Sequence, residues 1–142
     1  MSPSDDGQCE SLTEIIIPSD LSAAKQPEQR ILQEVRRCGY GPQEAFAIKL
    51  ALEEAITNAI RHGNGNDPSK RIIIGFSVSP QRAVIRVADE GEGFCLEDVP
   101  DPTADENLER PTGRGILLMR AYMNRVCYNR KGNEVTMVKL KP

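Results

Sequence analysis

In the stretch LEEAITNAIRHG, residues 52–63, a carboxylate, an amide and an imidazole recur at four-residue intervals as Glu54, Asn58 and His62. At about 100° per residue, Ile48, Leu52, Ile56 and Ala59 share one arc of a helix, and Glu54 and Asn58 stand roughly 110° or more away from it. Ala47, Ala51 and Ala55 lie close by and are small enough to leave room beside the helix. Two convergent polar groups on such a helix either line a groove for a ligand or are solvated surface residues.

Two further stretches carry chemistry. In AVIRVAD a strand period of two puts Ala83, Ile85, Val87 and Asp89 on one face. A carboxylate ending an apolar row needs a donor, either a backbone amide of the next turn or the exocyclic amine of a ligand. Gly91 and Gly93 follow in DEGEGF and permit a close approach of the backbone. In TGRGILLM, Gly113 and Gly115 open a helix whose free N–H groups and positive dipole end suit phosphate oxygens, with Arg114 between them as a charged donor. The same pattern also fits a plain loop end.

The elements that position these residues are legible in the patterning. LTEIII reads as a strand over residues 12–17, stopped by Pro18, which an edge position tolerates. Ser19 or Asp20 caps a helix reaching about Arg37, although Pro27 argues for an irregular first turn. Gly39 and Gly41 break the chain, and Pro42 opens a second helix to about Arg61, closed by the turn HGNGNDPS. KRIIIGFSV and RAVIRVAD form a hairpin, GRGILLMRAYM a helix, and NRVCYNR and EVTMVKLKP two closing strands about the turn KGN. Between them, residues 95–112 contain three prolines and six acidic residues without periodicity, which reads as a lid. The strands and helices do not alternate regularly. The expected fold is therefore an α/β two-layer sandwich, a mixed sheet with helices on one face.

The 142 residues suit one domain over residues 12–142 behind a loose N-terminus, residues 1–11. A net charge of -3 gives no basic footprint for nucleic acid. No apolar run is long enough to span a bilayer, and the first residues are acidic and polar, unlike a signal peptide, so no membrane association and a cytoplasmic location are expected. Cys9, Cys38, Cys95 and Cys127 form no CxxC pair and have no histidine at ligand spacing, so neither zinc nor a disulfide framework is expected.

Taken together, Glu-x-x-x-Asn on a helix, Asp-x-Gly-x-Gly after a strand and Gly-x-Gly at a helix start resemble the N, G1 and G2 boxes of the GHKL, or Bergerat, ATP-binding fold of gyrase, histidine kinases and MutL. The resemblance covers about residues 12–141. EEAITNAIRHG and GRGILLMRAYMNRV are most similar to the bacterial anti-sigma factor serine/threonine kinases. This implies ATP and Mg²⁺ as cofactors, Asn58 as the Mg²⁺ ligand, Glu54 as general base and Asp89 as acceptor for the adenine amine. It also implies nucleotide contacts at Gly91, Gly93, Gly113, Arg114 and Gly115, with His62 at a helix-end or phosphate-side position. Glu53 competes with Glu54 on composition, but only Glu54 has the four-residue spacing to Asn58. The larger relatives often have a third glycine where this chain has Leu117.

The implied function is an ATP-dependent serine/threonine protein kinase that phosphorylates an anti-sigma-factor antagonist, sequesters a sigma factor and forms a homodimer. The alternative is a nucleotide-binding module that sequesters its partner without kinase activity. A sensor histidine kinase is disfavoured, because no phosphoacceptor hairpin precedes the domain and the single histidine lies inside the N box.

Overall fold

The first strand, β1 (Thr13–Pro18), carries the β-branched run and lies at a sheet edge, where the missing N–H of Pro18 does no harm. The structure, a computed structural model, describes residues 11–91 and 119–142. After β1, the Asp20 side chain accepts from the Ser22 N–H at 3.0 Å and caps a short 3₁₀ turn, Leu21–Ala24. The α-helix α1 starts only after it, at Lys25, and runs to Arg37 with Pro27 buried in its first turn. The irregular entry expected from Pro27 is thus a change of helix type, since proline is tolerated only in the first turn of an α-helix.

Helix α2 spans Pro42–Asn58 and continues as a π-helical turn, Ala59–Gly63. Strands β2 (Arg71–Val78) and β3 (Arg82–Asp89) form the expected hairpin. Residues 119–122 are helical and lead into β4 (Arg125–Tyr128) and β5 (Glu134–Leu140).

The strand order is β1-β2-β3-β5-β4. Every pairing among these strands is antiparallel, which corrects the expectation of a mixed sheet. Between β1 and β2 the reason is the two helices of the connection: a single helix returns the chain parallel to the strand it left, whereas α1 and α2 together bring it back reversed; β2–β3 and β4–β5 pair as neighbours in the chain. The two layers are as expected. Ile31, Leu32 and Val35 of α1 and Ile48, Leu52 and Ile56 of α2 pack with Ile72, Ile74, Ile85, Val87 and Met137 on one sheet face. The other face carries the Glu14–Arg86 ion pair at 2.9 Å and the exposed Ile16 and Leu140.

Between α1 and α2 runs a groove of about 600 Å³ lined by Lys25, Glu28, Leu32, Arg36, Lys49 and Glu53. Burial, a hydrogen bond to Glu53 and repulsion from it push the Glu28 carboxyl up to about 7, against the pull of Lys49 and Lys25. The ordinary value is 4.5, so the folded chain holds this proton more tightly and loses stability as pH rises from 4.5 to about 7. Glu28→Gln is expected to flatten that slope and to be more stable than the wild type above about pH 7. Urea unfolding across this range measures it, and equal slopes for the two proteins would rule out the carboxyl pair as the cause.

Candidate functional site

Helix α2 divides its residues by direction. Ile48, Leu52 and Ile56 are 0%, 0% and 1% exposed and face the sheet. Glu54 and Asn58, both half-buried, turn away from that arc. Ala51 and Ala55 are buried in the core cluster, and Ala47 is buried outside it. Glu53 lies one step around the helix, in the groove beside Glu28. The Nδ2 of Asn58 is buried and has no hydrogen-bond partner among the described residues. An unsatisfied buried amide costs about 1–3 kcal/mol, which is the mark of a side chain waiting for a partner.

The π-helical turn then carries the chain from Asn58 toward β3. Its wider spiral is closed by the Asn64 N–H donating to the Ala59 carbonyl at 2.7 Å, a five-residue step. This brings Gly63 against Asp89, where a β-carbon would lie 2.1 Å from Asp89 Oδ2. A β-carbon on Gly91 would lie 1.7 Å from the Gly63 carbonyl oxygen. Two bare backbones and one carboxylate therefore interlock. His62, on the same turn, is exposed.

Asp89 ends the row of Ala83, Ile85 and Val87, all buried on the helix side of the sheet. Its Oδ1 accepts from the Gly91 N–H at 2.8 Å, so the turn amide is one of its donors. Its backbone N–H donates to the Asn133 carbonyl at 2.9 Å, which anchors the end of β3 to the β4–β5 turn. Burial raises the Asp89 carboxyl above its ordinary value; the Gly91 hydrogen bond, Lys70 and Lys131 oppose the shift. The expected contacts at Gly93, Gly113, Arg114 and Gly115 and the lid at residues 95–112 lie outside the described residues.

The description of a histidine kinase-like ATPase domain matches residues 17–139. The chain belongs to this family. The matched span includes Glu54, Asn58, Gly63, Asp89 and Gly91. This ATPase domain is 32% identical to a protein named serine-protein kinase RsbW from Oceanobacillus iheyensis, over 72% of this chain and 68% of the relative. It is 34% identical to the RsbW of Bacillus subtilis, over 72% and 69% of the two chains. A protein named anti-sigma F factor from Anoxybacillus flavithermus is 36% identical over 68% of each chain. The fold is also that of a crystal structure of the RsbU and RsbW domains of a Mycobacterium tuberculosis protein, with a TM-score of 0.60 at 15% identity. That match covers 92% of this chain and 33% of the larger one, so the ATPase domain spans about a third of it.

The residues present fit a nucleotide and a divalent cation. Asn58 offers an amide oxygen, the ligand type that hard cations take, and an orphaned Nδ2 for an acceptor such as a phosphate oxygen. The Gly63–Gly91 approach packs two bare backbones against the Asp89 carboxylate and so fixes where that carboxylate sits. Gly63 and Asn64 went unremarked in the sequence because HGNGND reads as a turn signal; nothing local in it reports a partner on a distant strand. Gly63→Ala is expected to force the Asp89 carboxylate out of position, costing about 1–3 kcal/mol of stability by overpacking and at least about tenfold in ATP affinity. Calorimetry with ATP, run beside urea unfolding, checks both. Wild-type affinity in a folded Gly63→Ala protein would show that this contact does not shape the site.

Proposed function

We propose that this ATPase domain transfers the γ-phosphoryl group of ATP to a serine or threonine of a partner protein and acts in the cytoplasm as an anti-sigma factor. Its substrate is an anti-sigma-factor antagonist, its second partner a sigma factor, and its working form a homodimer. The observation that carries this reading is Glu54 set one turn before Asn58, away from the core, in a chain 32–36% identical to proteins named serine-protein kinase and anti-sigma F factor.

Asp89, held in place by the close packing of Gly63 and Gly91 around its carboxylate, receives a hydrogen bond from the adenine amino group. Asn58 is the residue that would hold Mg²⁺; the cation, when bound, neutralises charge on the β- and γ-phosphates. Phosphate oxygens and water are the further ligands such a cation would take. Gly113, Arg114 and Gly115 supply backbone N–H groups and a guanidinium to the phosphates, and Gly93 gives the chain passage beside the nucleotide. Glu54 takes the proton of the attacking hydroxyl as its oxygen bonds to the γ-phosphorus. The bond from that phosphorus to the bridging oxygen breaks, and the electron pair leaves with ADP. Glu53, engaged with Glu28 in the other groove, supports the assignment of the base to Glu54.

The experiment is transfer of labelled γ-phosphate from ATP to small antagonist-like proteins encoded beside this chain. The expected result is label on a serine or threonine of one of them. Tight ATP binding with no transfer to an antagonist that does bind would replace the kinase by a sequestering module.

A further inference from the structure

Asn64 is 2% exposed and uses every polar atom it has. Its backbone N–H closes the π-helical turn on Ala59, and its carbonyl accepts from the Asp67 N–H at 3.1 Å. Its Nδ2 donates to the Arg71 carbonyl at 3.0 Å and to Ser19 Oγ at 3.3 Å. Its Oδ1 accepts from the Glu90 N–H at 2.8 Å. One side chain thus ties together the end of α2, the chain after β1, the first residue of β2 and the turn after β3. Glu90 follows Asp89 directly, and Gly91, whose N–H holds Asp89 Oδ1, comes next.

From this geometry we infer that Asn64 is a positioning residue for base recognition: it sets Asp89 at the distance and angle from α2 that let one ligand meet Asp89 and Asn58 together. The inference rests on the reading of Asp89 as the adenine acceptor. Asp89 stands on the sheet and Asn58 on a helix, and these two elements meet at the site through the Gly63–Asp89 approach and the Asn64 hydrogen bonds. The Gly63 contact only excludes atoms; it does not hold the turn in place. A second tether exists, the Glu90 carboxylate on the Arg71 N–H at 2.6 Å and on its guanidinium at 2.9 Å. The Arg71 side chain is 59% exposed, so water and salt weaken that pair, while the Asn64 bonds are shielded from both. Adenine presents an amino group to a carboxylate, whereas guanine presents a carbonyl oxygen at the same ring position, so a well-placed Asp89 favours ATP over GTP. A displaced Asp89 loses that preference.

The test is a double-mutant cycle of Asn64→Ala and Asp89→Asn, read as affinities for ATP and GTP with urea unfolding alongside. Asn64→Ala is expected to lower ATP affinity by about tenfold and to lower the preference for ATP over GTP by a similar factor. Added to Asp89→Asn it is expected to cost less than about twofold more, because both changes remove the same interaction. Additive losses, or a loss of stability with an unchanged ATP-to-GTP ratio, would overturn the inference and leave Asn64 a structural residue. If Asn64→Ala does not fold, Asn64→Asp serves in its place: it keeps the volume and the acceptor for Glu90 but sets an oxygen against the Arg71 carbonyl. The same three readouts then apply, with the same directions and a smaller amplitude. Asp89→Asn binding ATP as the wild type does would remove the adenine reading itself, and the inference with it; a loss on Asp89→Asn with none on either Asn64 variant would overturn the inference alone.

Discussion

Glu54→Gln is expected to leave ATP affinity nearly unchanged and to lower phosphoryl transfer by about 10²–10⁴-fold. The amide keeps the size of the carboxylate and most of its hydrogen bonding, so the half-buried position on α2 stays filled. It cannot take the hydroxyl proton. Only the transition state needs that acceptance, so the loss falls on kcat and not on the binding of nucleotide. Measuring γ-phosphate transfer beside calorimetric ATP affinity separates the two. An unaffected transfer rate would remove Glu54 as the base. Glu53→Gln is the internal control: that carboxylate belongs to the groove between α1 and α2, and its loss relieves Glu28 without touching transfer.

Asp89→Asn is expected to weaken ATP binding by roughly ten- to a hundredfold, the loss of a charged hydrogen bond of about 1.5–3 kcal/mol. The structure explains why an amide is a poor substitute. Oδ1 is engaged by the Gly91 N–H, so an asparagine that keeps this bond turns its –NH₂ to the remaining side. There it meets the amino group of adenine, donor against donor. Acidification acts through the same atom. Burial raises the Asp89 carboxyl, and its protonated form is the one without the anionic acceptor. ATP affinity of the wild type therefore falls on acidification, beginning at a higher pH than an ordinary aspartate would give, and Asp89→Asn lacks this dependence. Calorimetry at a series of pH values measures both; equal affinity of the two proteins, or one pH profile shared by both, would take Asp89 out of the adenine role.

How far the site could be read in advance differs from residue to residue. The arc of Ile48, Leu52 and Ile56 was readable because helical periodicity alone sends those side chains inward, and Asp89 was readable as the end of an alternating strand row. The direction of the sheet is not legible because pairing is a relation between strands far apart in the chain, such as β1 with β2 and β3 with β5.

What the sequence by itself determined is what depends on local periodicity and residue chemistry: the five strands, the two long helices and their order, the two layers, the one-turn spacing of Glu54 and Asn58, and the three motifs that resemble an ATP-binding fold. What only the tertiary structure decided is where separate pieces touch. Glu53 and Glu28 meet across two helices, Gly63 admits the Asp89 carboxylate across 26 residues of chain, and Asn64 joins Ser19, Arg71 and Glu90. The physical reason is range. Backbone propensity and side-chain period act over a turn or two, while a close approach or a buried hydrogen bond is settled by which surfaces the hydrophobic core brings together.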